Sequence, residues 1–67
     1  MATNQRKAAK QTLTSIENSF TTIGVKLDLL KTVYNEEHYK TINDALNVLS
    51  AAVENLYVIA TQINNTI

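Results

Sequence analysis

The chain has no cysteine, no proline and no tryptophan, one glycine in 67 residues, and no net charge at neutral pH. Each absence excludes something. Without cysteine there are neither disulfides nor thiolate metal ligands, so a domain too short to bury much of its surface must be stabilised in another way, and self-association is the route that remains. The single His38 cannot form a metal site alone, and the sequence contains no His-x-x-x-His pair and no Gly-rich phosphate loop. With no proline and only Gly24, almost nothing interrupts a helix.

Long apolar runs are missing too. The most apolar stretch, 48–60, is broken by Ser50, Glu54 and Asn55 and falls short of the roughly 20 residues that a membrane span requires. Met1 is followed by Ala-Thr-Asn-Gln-Arg-Lys with no apolar segment behind it, which argues against a secretory signal. A cytoplasmic protein without membrane association is the expectation.

What is present is periodicity. Ala9, Leu13, Ile16, Phe20, Ile23, Leu27, Leu30 and Tyr34 step by four and three, and Tyr39, Ile42, Leu46, Leu49, Val53, Leu56, Ala60 and Ile63 step by three and four. Each series is a heptad seam with an average period of 3.5, and the two are mirror images about 35–38. The pattern predicts an all-α antiparallel hairpin forming one domain over 1–67. Its first helix spans about 4–34 and its second about 36–65, and residues 1–8 are open to either reading, the start of the first helix or a flexible basic arm. Opposed rungs then have residue numbers that add up to about 72, which brings Tyr57 near Thr14. The competing arrangement, one uninterrupted helix of about 60 residues and 90 Å, would require the seam to continue through Asn35-Glu36-Glu37-His38. Asn35 is the best break: it either ends the first helix in the left-handed conformation or caps the second, with Glu36 and Glu37 in the first turn. Thr14-Ser15-Ile16-Glu17 matches a capping box, but Ala9 and Leu13 carry the seam through it without a phase shift, so the first helix is read as continuous. Gly24 costs that helix about 1 kcal/mol relative to alanine, and a close backbone approach is the expected reason for it.

The second helix is apolar beyond its seam. Ala45, Val48, Ala52 and Ile59 form an adjacent stripe, widened by Tyr57 and Val58, which one helical neighbour cannot cover. Burial at about 25 cal/mol per Å² favours a homo-oligomeric bundle, minimally a dimeric four-helix bundle, in which the second helix packs on its counterpart in another copy.

No set of residues here supplies an activated nucleophile, a paired acid and base, or a metal site, so an enzyme is not expected and no cofactor is implied. Glu36, Glu37, His38 and Lys40 are adjacent in sequence but read as a solvated turn. Charge is unevenly placed. Arg6, Lys7 and Lys10 stand within two turns, with no acid before Glu17, and the amides Gln62, Asn64 and Asn65 of the second helix would lie beside them. Cations, amide donors and a nearby Tyr57 suit an anionic nucleotide or phosphate ligand, which makes Arg6, Lys7, Lys10 and Tyr57 the candidate binding residues. Thr12, Thr14, Ser15, Asn18, Ser19, Thr21 and Thr22 give the first helix a neutral polar face, read as solvent surface or as an uncharged contact surface.

Two family resemblances follow from these residues. Asn4-Gln5-Arg6-Lys7 followed by Leu13-Thr14-Ser15-Ile16-Glu17 resembles the phage helical-hairpin proteins that sequester cyclic-oligonucleotide immune signals. That resemblance implies a hexameric, stoichiometric anti-defence regulator with Arg6, Lys7 and Lys10 on the phosphates and a tyrosine, Tyr57 or another, on the base. The chain departs from that family where a Tyr-Arg pair is replaced by Gln11-Thr12, and where Ala60-Thr61-Gln62 lacks an Arg-Ala. In length and architecture the chain also resembles the Rop family of plasmid copy-number regulators, dimeric four-helix bundles that bind RNA. For RNA only Lys7, Lys10, Asn18 and Lys26 can be nominated, and a neutral protein gains little from counterion release. The alternative roles are an inhibitor that binds a target protein through the second-helix stripe and a purely structural assembly unit.

Overall fold

A computed structural model describes residues 2–35 and 37–67. It forms two helices, α1 (Ala2–Val33) and α2 (Lys40–Thr66), packed against each other as a hairpin. α1 runs without a break through the Thr14–Glu17 capping-box motif, as the uninterrupted seam requires.

The turn differs from expectation. α2 starts at Lys40, not near residue 36, and Asn35 neither adopts a left-handed conformation nor caps α2. Its side-chain Oδ1 instead accepts the His38 N–H at 3.1 Å, and its carbonyl accepts the Tyr39 N–H at 2.9 Å. This local bonding, which short polar side chains offer in competition with helix, holds Asn35 and 37–39 outside both helices and keeps Glu37 out of the first turn of α2; Glu36 lies outside the described residues. Two contacts brace the bend. The Asn43 amide Nδ2 reaches back to the Tyr34 carbonyl at 2.9 Å, satisfying one of the carbonyls left open at the end of α1. The rings of Tyr34 and Tyr39 meet edge to face, with centroids 5.2 Å apart.

The seam is met only in part. On α1 the shielded residues are Ala9, Lys10, Leu13, Glu17, Phe20, Gly24, Leu27 and Lys31, followed by Tyr34 just past its end; on α2 they are Asn43, Leu46, Ser50, Val53, Ala60, Thr61 and Asn64. Half of the expected rungs are there. The other half is 39–48% exposed: Tyr39 just before α2, and Ile16, Ile23 and Leu30 on α1 with Ile42, Leu49, Leu56 and Ile63 on α2, which lie along one flank of the contact. Each helix is rolled by part of a turn, so that a polar row (Lys10, Glu17, Gly24, Lys31 and Asn43, Ser50, Asn64) replaces an aliphatic row between them. In this row Asn43 and Asn64 find polar partners.

Gly24 itself is not held by a close approach. A β-carbon there would meet nothing within 4 Å, and its backbone is ordinary helix. The expectation of tight packing at this position is therefore overturned.

The result is a thin rod rather than a globule. Its Cα extents are 56 × 15 × 11 Å and its radius of gyration is 15.8 Å, against about 11 Å for a compact chain of this length. Among the described residues only Leu27, Val53, Ala60 and the polar Asn43 are buried.

Candidate functional site

The basic residues converge at one end of the rod. Arg6, Lys7 and Lys10 line a shallow concavity of about 540 Å³ together with Gln11 and Thr14. Helical spacing produces this directly, since residues three, four and seven apart share a face of α1. No acid lies in the first turn of α1, and no ion pair holds Arg6 or Lys7 among the described residues. Because α1 begins at Ala2, all three cations lie beyond its first turn, where the helix dipole has largely faded, so the positive potential here comes from the side chains themselves.

Lys10 has a second duty. Its Nζ donates to the main-chain carbonyl of Asn64 and, at 3.3 Å, to Asn64 Oδ1. The Asn64 amide in turn donates to Glu17 Oε1 at 3.3 Å. Asn64 is thus gripped between a cation and a carboxylate of α1, which ties the last turns of α2 to the basic end. Of the three amides expected beside the basic pole, Asn64 makes this link; Gln62 and Asn65 are exposed.

Tyr57 is not part of this concavity. It lines a separate groove of about 370 Å³ with Phe20, Gly24, Asp28, Lys31 and Glu54, further along the rod. Tyr57 lies near Phe20 and Gly24 rather than near Thr14, so the structure brings Arg6, Lys7 and Lys10 together and sets the tyrosine apart. The absent side chain at Gly24 helps to open this groove. Gln11, which also lines the basic concavity, was not singled out as a binding residue; its place four positions after Lys7 was the available signal.

The hydroxyls of the polar α1 face are turned inward on their own helix. Thr12, Thr14, Ser19, Thr21 and Thr22 donate to the carbonyl one turn earlier at 3.0–3.1 Å. Their donors are thereby satisfied locally, which fits a solvated face. The expected stripe Ala45, Val48, Ala52 and Ile59 on α2 is exposed throughout, Val48 at 72%. Among the described residues, no group of three His, Asp or Glu side chains is placed to hold a metal ion. The apolar stretch 48–60 lies within α2, which as a whole helix is long and apolar enough to cross a membrane by length and composition alone, with a window of mean hydropathy 1.2. The helix reaches this value because Lys40, Asp44 and Glu54 are its only charged residues.

Fold and site together define a small all-α helical hairpin with a basic end and an uncovered apolar flank. No protein-family model, curated protein or solved structure matches the chain.

Proposed function

We propose that this chain is a non-enzymatic binding protein that works as a homo-oligomer and takes up a phosphate-bearing anion stoichiometrically at Arg6, Lys7 and Lys10, as a small regulator sequestering an anionic nucleotide would. The observation that supports this reading is the convergence of three cations, with no acid among them, on one concavity near the start of α1. Arg6 supplies a planar fork for phosphate oxygens, Lys7 and Lys10 supply point charges, and the Gln11 amide adds a neutral donor. Because Tyr57 lines a different groove, a nucleobase held at the basic concavity does not stack on the Tyr57 ring of the same chain. RNA binding of the Rop kind is the weaker reading, since Lys7, Lys10, Asn18 and Lys26 are spread around α1 rather than aligned in one stripe.

The test is isothermal titration of the purified protein with a cyclic dinucleotide, ATP and inorganic phosphate, set beside the variant Arg6→Gln/Lys7→Gln/Lys10→Gln. Binding at one anion per chain or per fixed oligomer, weakened by added salt and abolished in the variant, supports the assignment. Equal binding by the variant, or no binding by the wild type to any of these anions, refutes it and leaves a protein target or a structural role.

A further inference from the structure

α2 carries a second heptad seam that lies outside the hairpin contact. Ile42, Ala45, Leu49, Ala52, Leu56, Ile59 and Ile63 step three and four without a polar interruption. All seven are exposed, the five large ones at 42–48%. On the same flank α1 adds Ile16, Ile23 and Leu30.

Area indicates how much is missing. A compact chain of 7.5 kDa exposes about 4,250 Å², whereas this hairpin exposes 5157 Å². The excess of about 900 Å² is close to the roughly 800 Å² that each partner buries in a stable protein interface. Charge favours the same flank. Lys40, Asp44 and Glu54, the only charges of α2, all lie on the half of the helix turned away from this seam, so covering it desolvates no charge on α2.

The seam is also close to symmetric about its midpoint, Ala52. Paired antiparallel with itself, it sets Ile42 against Ile63, Ala45 against Ile59, Leu49 against Leu56, and Ala52 against Ala52. Each small residue at Ala45 then faces a large one at Ile59, which is how facing layers interdigitate. A parallel pairing would place Ala45 on Ala45 and Ile59 on Ile59, leaving a void at one level and crowding at the other. The helix dipoles are also opposed favourably in the antiparallel arrangement.

We infer that the occupant of this flank is a second copy of the chain, packed α2 on α2 antiparallel about a two-fold axis at Ala52. The inference deepens the reading that the protein self-associates and rests on it. α2 spans about 40 Å, so the two basic concavities lie at opposite ends of the dimer and bind independently, one anion per chain.

The test uses the full chain, which has no cysteine of its own. Light scattering across a wide range of protomer concentration reads the mass, and a short bis-maleimide reads the register in single-cysteine variants. The expected result is a dimeric mass, cross-linking of Ala52→Cys with itself, and cross-linking of an Ala45→Cys and Ile59→Cys mixture that greatly exceeds either variant alone. Ala45→Cys cross-linking with itself instead shows a parallel pair and overturns the assignment. A dimer that none of these cysteines cross-links places the contact on another face and likewise overturns it. A monomer, or a protein that sediments with lipid vesicles rather than with itself, overturns self-association as well. Ala52→Lys, which puts an ammonium on the axis, is expected to give a monomer that keeps its anion binding.

Discussion

Replacing Gly24 with alanine should stabilise the protein. Gly24 sits in the interior of α1 with helical backbone, and a β-carbon there would meet no atom within 4 Å. The substitution therefore adds no clash and almost no new contact. What changes is backbone freedom: alanine is favoured over glycine inside a helix by about 0.8–1 kcal/mol, largely because the unfolded chain has fewer conformations to lose. For a domain of this size about 1 kcal/mol raises Tm by roughly 4–8 °C. The assay is urea unfolding followed by circular dichroism, with wild type and variant at the same protomer concentration, because assembly would link stability to concentration. The midpoint should rise while the slope stays unchanged. A lower midpoint would refute the reasoning, because it would mean that something packs closely on Gly24 in the working protein. That body would occupy the groove of Phe20, Gly24 and Tyr57, on the flank opposite the exposed seam, and the second copy would then have been assigned to the wrong side.

Three further outcomes follow from the same packing. Asn43→Ala removes the buried amide that serves the Tyr34 carbonyl at 2.9 Å, and should cost about 1–3 kcal/mol in chemical unfolding; an unchanged midpoint would show that the turn does not depend on it. Ser50→Ala removes a hydroxyl that is buried without a hydrogen-bond partner, and should raise stability by about 1 kcal/mol; a loss would reveal a partner for that oxygen. Asn64→Ala breaks the link to Lys10 and Glu17, and should speed amide hydrogen exchange in the last turns of α2 without speeding it elsewhere. Uniform protection would show that these contacts do not anchor the end of the rod.

The sequence by itself determined that there are two helices, where they divide, and which residues share a face. The reason is local: a 3.5-residue apolar period is meaningful only in a helix, and its mirror image about Asn35 has no simple use except a fold-back. It also showed the basic cluster, since Arg6, Lys7 and Lys10 need only one helix to bring them together. Tertiary structure decided how the helices are rolled. An apolar arc wider than one neighbour can cover leaves that rotation open, and periodicity cannot choose within it. Polar bonds between distant residues made the choice: Asn43 to the Tyr34 carbonyl, and Asn64 between Lys10 and Glu17. Each joins groups on separate helices or across the turn, where no spacing rule within one helix reaches. The roll turned Ile16, Ile23, Leu49 and Leu56 outward, and the pairing of the helices places Tyr57 in a groove apart from the basic end. Half of the seam legible in the sequence is thereby left exposed on the hairpin.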